Sequence, residues 1–155
     1  FSPWFKSKKN NVILDPKKKI DHIWSNANIV TPNLNELKIA SKLNVDNDKN
    51  VVEACRILMK EFQNLEYIVA KKSERGITIV GRDSYVKHIS PYEVKSPDVT
   101  GAGDTVIAVM SVVYAETRDI ELSVTTANIA ASIVVGESGT ATINLNKIKK
   151  LIEKR

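Results

Sequence analysis

The sequence contains little cysteine, glycine, proline or aromatic residue, and it has no long hydrophobic run. Of 155 residues, one is cysteine, six are glycine, five are proline and 6% are aromatic. The single cysteine, Cys55, excludes an intramolecular disulfide and a metal site built from several cysteines. The longest uncharged apolar runs, residues 106–114 and 129–135, are far shorter than the roughly 20 residues that a membrane helix needs. We therefore expect no membrane partner and a location in the reducing cytoplasm.

The composition is that of one globular domain with a modestly basic surface. Hydrophobic side chains make up 43% of the residues, and a chain of this length can bury about 70% of its unfolded surface. Lys and Arg number 23 against 18 Asp and Glu, which leaves a net charge of +5. The lysine runs, such as residues 17–19, lack interleaved aromatic residues and any recognition motif. They are typical of a solvated surface, so nucleic acid is not an expected partner.

Short apolar runs alternate with segments of helical periodicity. The predicted strands are residues 11–15, 27–31, 67–70, 77–80 and 84–89. The predicted helices are residues 33–43, a segment from the capping residues Asn47 and Asp48 to Phe62, and residues 104–116, 121–135 and 146–154. Cys55 lies in the apolar stripe of the second helix, which indicates a core position. Strands and helices alternate early and helices close the chain, which predicts an α/β layered fold.

The segment Asp-Val-Thr-Gly-Ala-Gly-Asp-Thr at 98–105 is the richest in chemistry, because small residues lead directly into an apolar helix. A helix N-terminus presents unpaired backbone N–H groups and the positive end of its dipole, and glycines let an anion reach that backbone. Asp104, in the first turn, could accept the proton of an attacking hydroxyl. This combination favours phosphoryl transfer.

A purely structural interpretation of the same eight residues is equally open. Asp98 or Thr100 would then cap the helix, the glycines would form a turn, and Asp104 would complement the helix dipole. The glycine spacing matches neither the dinucleotide-binding fingerprint nor the P-loop.

Three segments together resemble the ribokinase, or PfkB, family of carbohydrate kinases. Residues 98–105 resemble the family's C-terminal signature, Thr-Pro-Asn-Leu-Asn-Glu at 31–36 resembles its Asn-x-x-Glu segment, and residues 127–131 with the loop 136–140 resemble its nucleotide-side helix and loop. Within the family, Leu-Asp-Pro-Lys at 14–17 and Ser-Glu-Arg-Gly at 73–76 are most similar to kinases of heptose 7-phosphate.

The resemblance implies a ribokinase-like layered sheet with helices and ATP-dependent transfer to a sugar hydroxyl. The expected substrate is a sugar phosphate, D-glycero-β-D-manno-heptose 7-phosphate, which would become the 1,7-bisphosphate. Asp104 would be the general base, and the amides of Gly101, Ala102 and Gly103 would form the anion hole.

The resemblance also implies residues for ATP and its metal. Asn33 and Glu36 would order Mg²⁺ and its waters, although Asn at an N-cap with Glu three residues on is also a capping box that needs no metal. Lys17 would be a cation near the phosphates or an exposed lysine. Asn128 would lie beside adenine or would be an amide satisfied by backbone.

Further nucleotide-side positions implied by the resemblance are Ser73, Gly76 and Gly139. A potassium site would use Asp98 and carbonyl groups near Thr100 and Gly139. Lys71 stands where related kinases often carry threonine, a departure from the family pattern.

Members of this family are about twice as long, and their N-terminal half supplies sugar-binding residues and a lid. We therefore expect residues 1–155 to form a single partial domain, the nucleotide-binding C-terminal half. The chain would be active with a separately encoded N-terminal half or as a homo-oligomer. The alternative is a non-catalytic nucleotide-binding remnant.

Overall fold

The computed structural model describes residues 11–16, 22–91 and 102–136. In these ranges one mixed sheet has the strand order β1-β2-β3-β4-β5. The strands are β1 (Ile13–Leu14), β2 (Ile29–Val30), β3 (Tyr67–Lys71), β4 (Ile77–Gly81) and β5 (Val86–Ile89). The first three run parallel, and β4 and β5 are each antiparallel to the preceding strand.

Helices cover both faces of this sheet. They are α1 (Leu34–Ser41), α2 (Asp48–Glu61), α3 (Ala102–Thr117) and α4 (Ile120–Gly136), with short 3-10 helices at His22–Asn26 and Ser73–Arg75. The predicted α/β layered fold is thus confirmed. The helix predicted for residues 146–154 lies outside the described residues.

Alternation along the central strand β3 divides the core into two layers. Ile68 and Ala70 pack with residues of α1 and α2, whereas Val69 between them packs with residues of α3 and α4. Successive side chains of a strand point to opposite faces, and a strand covered on both faces reads as one continuous apolar run. Cys55 is fully buried in the first layer, and burial raises the pKa of its thiol to about 12. Its predicted core position is confirmed.

Local backbone chemistry sets the limits of the elements. Helix α1 begins after Asn33 and ends before Lys42, whose φ of 58° is left-handed, so the helix is shorter than the predicted 33–43. Ser84 also has a left-handed φ, 64°, and the Gly81 N–H donates to the carbonyl of Tyr85 at 2.8 Å. Residues 81–85 therefore form the hairpin turn, and β5 begins at Val86 instead of the predicted residue 84.

The two long helices extend slightly beyond their predicted limits. Helix α3 begins two residues before the predicted residue 104, and α4 begins one residue before the predicted residue 121. Within the ranges described above, no helix is both long enough and apolar enough to cross a membrane.

Candidate functional site

Three polar side chains meet where the parallel strands end. Asp15 follows β1, Thr31 follows β2, and Lys71 is the last residue of β3. The Thr31 hydroxyl donates to Asp15 Oδ1 at 2.8 Å, and Lys71 Nζ lies 2.6 Å from the same oxygen. Strand alternation places all three on the α3 side of the sheet, two residues beyond the apolar positions of that layer. Open α/β sheets bind ligands at this edge, outside the carboxyl ends of their strands.

The N-terminus of α3 reaches the same place. The helix begins at Ala102, and a Cβ built on Gly103 would lie 3.8 Å from Lys71 Nζ, the nearest atom among the described residues. The first N–H groups of a helix lack partners within the helix, and its N-terminus carries a partial positive charge. An ammonium and a helix N-terminus thus lie side by side, with the Asp15 carboxylate against the ammonium. This arrangement suits an anion.

A cavity of about 540 Å³ opens beside this point. Its described lining is Asn33, Leu34, Asn35, Lys71, Lys72, Ser73, Gly76, Ile77, Gly103, Val106, Asn128 and Ala131. The structure therefore brings together five residues predicted for the site: Asn33, Ser73, Gly76, Gly103 and Asn128.

Gly76 is required by its backbone and by the space around it. Its φ is +79°, and a Cβ there would lie 2.1 Å from the carbonyl oxygen of Ile89 and 2.8 Å from the nitrogen of Pro91. Glycine adopts this conformation without a steric penalty, and no other residue fits such a close approach. Gly76 therefore keeps the turn after β3 tight against the end of β5, at the wall of the cavity.

Asn33 and Glu36 form the capping box that the sequence left open as an alternative. The Glu36 N–H donates to Asn33 Oδ1 at 2.9 Å, and the Asn33 N–H donates to Glu36 Oε2 at 2.7 Å. A carboxylate has two oxygens with about four acceptor sites, so this cap is compatible with metal binding. In the described part of the chain no three His, Cys, Asp or Glu side chains cluster as a metal site. Mg²⁺ is commonly held by one or two carboxylates together with substrate phosphates and water. A metal role for Asn33 and Glu36 stays a prediction.

Asn128 joins α4 to the end of β5. Its Nδ2 donates to the carbonyl of Ser90 at 3.0 Å, and the side chain is half-buried at the cavity wall. The alternative in which backbone satisfies the Asn128 amide is therefore present in the structure. A role of Asn128 beside adenine stays a prediction.

Asp104 lies in the first turn of α3, directly after the cavity residue Gly103. Its side chain is exposed, and it is outside the described lining of the cavity. Of the remaining predicted site residues, Lys17, Asp98, Thr100, Gly101 and Gly139 lie outside the described residues, as does the side chain of Ala102.

The two consecutive lysines at the end of β3 have different surroundings. Lys72 is 2% exposed, and its Nζ lies 2.7 Å from Asp48 Oδ1 at the start of α2, on the opposite side of the sheet from Lys71. The hydrogen bond from Lys72 is the largest cause of the lowered pKa of Asp48. His88 Nδ1 lies 3.6 Å from the other oxygen of that carboxylate and 2.9 Å from the hydroxyl of Thr78. This cluster ties α2 to the sheet.

Sequence reasoning missed the arrangement of Asp15, Thr31 and Lys71. The available signal was a polar residue directly after each of two predicted parallel strands, at residues 15 and 31. For Lys71 the sequence offers only a departure from the family pattern, because its partner Asp15 lies 56 residues away along the chain.

Comparison with known sequences finds one family over most of the chain. The model of the pfkB family of carbohydrate kinases matches residues 4–147. The bifunctional protein HldE of Nitrobacter hamburgensis is 38% identical over 141 residues, which are 91% of this chain and 29% of that protein. The HldE protein of Campylobacter curvus is 36% identical over 145 residues, which are 93% of this chain and 30% of that protein. The chain thus spans under a third of the length of these relatives.

Solved structures show the same fold. Arabidopsis thaliana ribokinase complexed with ribose and ATP superposes with a TM-score of 0.83 at 22% identity, covering 92% of this chain and 47% of the ribokinase. Phosphofructokinase-2 from Escherichia coli in complex with potassium gives a TM-score of 0.77 at 21% identity, and the match covers 93% of this chain and 47% of the phosphofructokinase. The fold is therefore ribokinase-like, and the chain corresponds to about half of these kinases.

Proposed function

Because the chain belongs to the pfkB family of carbohydrate kinases, we propose that it supplies the nucleotide side of an enzyme that transfers a phosphoryl group from ATP to a sugar hydroxyl. The observation that carries this proposal is the meeting of Gly103, at the N-terminus of α3, with Lys71 and Asn33 around one cavity. Backbone N–H groups and a nearby cation are what a phosphate chain requires.

The cavity is the proposed site of ATP. Its volume of about 540 Å³ lies in the range of roughly 300–1,000 Å³ that is usual for small-molecule sites. The apolar residues Leu34, Ile77 and Val106 supply surface for a base, and Asn33, Ser73 and Gly103 supply polar groups for ribose and phosphates. The ATP complex of the ribokinase, which shares this fold, supports the assignment.

Asp104 is the proposed general base. It follows Gly103 in the first turn of α3 but is exposed outside the cavity lining, so a sugar could approach it without entering the nucleotide cavity. In the step itself, the sugar hydroxyl oxygen forms a bond to the γ-phosphorus as the bond from that phosphorus to the ADP oxygen breaks, and the hydroxyl proton passes to Asp104. The amides at residues 101–103 would hold the charge that develops on the transferred group.

Magnesium would be held near Asn33 and Glu36, together with the nucleotide phosphates and water. When bound, Mg²⁺ neutralises charge on the phosphates. A potassium ion near Asp98, Thr100 and Gly139 is a further expectation, supported by the potassium complex of phosphofructokinase-2.

The proposed acceptor is heptose 7-phosphate, and the support is the similarity to the HldE proteins over about nine tenths of this chain. The chain covers under a third of those proteins, and we propose that sugar-binding residues outside it, in an N-terminal half or a second copy, complete the site. The competing proposal is a nucleotide-binding remnant without kinase activity.

The test is phosphorylation of heptose 7-phosphate by MgATP, followed by ³¹P NMR. The chain is assayed alone and mixed with the N-terminal region of the Nitrobacter hamburgensis protein. We expect transfer, and we expect Asp104→Asn to lower kcat by at least about 100-fold while ATP affinity stays within a few-fold, because an amide cannot accept the proton. Asp83→Asn, at an exposed carboxylate in the β4–β5 turn, is the matched control.

Wild-type turnover by the Asp104→Asn variant would remove the catalytic assignment. ATP binding without phosphoryl transfer, both by the chain alone and by the mixture, would favour the nucleotide-binding remnant without kinase activity. Failure to bind ATP at all would overturn the proposed function.

A further inference from the structure

Lys71 and Lys72 are neighbours in sequence but have opposite environments in the fold. Lys72 extends to the α2 side, where it is 2% exposed and paired with Asp48. Lys71 extends to the α3 side, where its side chain is 17% exposed at the cavity and its Nζ lies 3.8 Å from the position of a Cβ on Gly103. Only one of the two ammonium groups therefore reaches the place where the helix N-terminus faces the cavity.

Asp15 holds the ammonium of Lys71 in this position. Asp15 Oδ1 accepts from Lys71 Nζ at 2.6 Å and from the hydroxyl of Thr31 at 2.8 Å, and Thr31 is fully buried. The Thr31 hydroxyl thus orients the Asp15 carboxylate, which in turn positions the Lys71 ammonium. An ammonium carries three N–H donors, and the bond to Asp15 uses one of them.

The electrostatics of this arrangement favour an anion at the point where the two positive groups meet. The positive end of α3 and the Lys71 ammonium lie side by side, and the carboxylates placed against them among the described residues are Asp15, which pairs with the ammonium, and Asp104, in the first turn of the helix. Phosphate oxygens placed between Nζ and the Gly103 backbone would meet both positive groups. A lysine is also a compact point charge that suits phosphate as well as carboxylate.

We propose that Lys71 is a phosphate-binding residue of the nucleotide site, and that Asp15 and Thr31 are positioning residues that aim it at the N-terminus of α3. This inference rests on the proposed function, since it assigns a residue to the same ATP site.

The experiment measures binding of sodium tripolyphosphate and of MgATP by isothermal titration calorimetry, with circular dichroism and Tm as checks of the fold. Lys71→Met should weaken tripolyphosphate binding by about 10-fold to 100-fold, the range expected for one charge-assisted hydrogen bond. Lys71→Arg should retain most of the affinity, because it keeps the cation. Lys60→Met, at an exposed lysine of α2, makes the same change in net charge and should bind as the wild type does.

A double variant separates contact from repulsion. Lys71→Met leaves the Asp15 charge unpaired near the site, and that charge could repel phosphate without any direct role for the lysine. Asp15→Asn combined with Lys71→Met removes both charges, and we expect it to bind tripolyphosphate as weakly as Lys71→Met. Wild-type affinity in the double variant, or in Lys71→Met alone, would overturn the role of Lys71 and leave the ATP site standing. Failure of the wild type to bind either probe would overturn both proposals.

Discussion

Gly103 lies where the proposed phosphate contact needs bare backbone, so replacing it with alanine separates binding from folding. A Cβ at this position would meet Lys71 Nζ at 3.8 Å, which is ordinary van der Waals contact, and no other described residue comes closer. The methyl group therefore meets no clash with the part of the chain that the structure describes. It would, however, project from the first turn of α3 toward the position proposed for the phosphates.

The two expected effects have opposite signs. Alanine is favoured over glycine in a helix interior by about 1 kcal/mol, and less is gained in a first turn, so the free energy of unfolding should stay the same or rise by up to about 1 kcal/mol. ATP affinity should fall by about 10-fold or more, because a phosphate displaced from the backbone N–H groups loses charge-assisted hydrogen bonds. Urea unfolding measures the first quantity, and calorimetric titration with MgATP measures the second.

A Gly103→Ala variant that folds normally and binds MgATP with wild-type affinity would refute the proposed path of the phosphates. A variant that loses both stability and binding would refute the geometry of this turn, because it would mean that the methyl group clashes with the protein.

Two further predictions concern residues near the cavity. Gly76→Ala should lower the free energy of unfolding by about 2–4 kcal/mol in urea titration, because its Cβ would overlap the Ile89 carbonyl at 2.1 Å with φ at +79°; stability equal to that of Gly103→Ala would contradict this. The hydrogen bond from Lys72 is the main reason that the pKa of Asp48 is lower in the folded protein than in the unfolded chain. The ionised carboxylate therefore stabilises the fold at a pH above the unfolded pKa, which is near 4. This contribution is lost as the pH falls through the lower pKa of the folded state. The destabilisation caused by Asp48→Asn in urea unfolding should therefore shrink as the pH falls from 5 to 2, and a difference that does not change with pH would contradict it.

The elements of the fold were predictable because their signals are local. The starts of helices α3 and α4 were predicted to within two residues, because apolar residues recur at helical spacing through both segments. Capping by Asn33 was also visible in the sequence. The start of β5 was wrong because Ser84 adopts a left-handed φ, and an alternating apolar pattern does not reveal a turn that uses a residue other than glycine.

The site was predictable only where it follows from short segments. The glycines before α3 and the Asn-x-x-Glu segment are such segments, and the structure places Gly103 and Asn33 on one cavity. The pair of Asp15 and Lys71 joins side chains 56 residues apart. That pair depends on which strands are neighbours in the sheet and on which face each side chain lies, and neither is encoded in any single segment.

The most direct test of the ATP site is an NMR titration of the ¹⁵N-labelled chain with MgATP, compared with adenosine. We expect the backbone amide of Gly103 to show one of the largest shifts with MgATP and the signals of Asn33 and Lys71 to move with it, whereas adenosine should leave the Gly103 amide nearly unchanged. An unperturbed Gly103 amide at saturating MgATP, or equal shifts with adenosine, would contradict the claim that the N-terminus of α3 binds the phosphates.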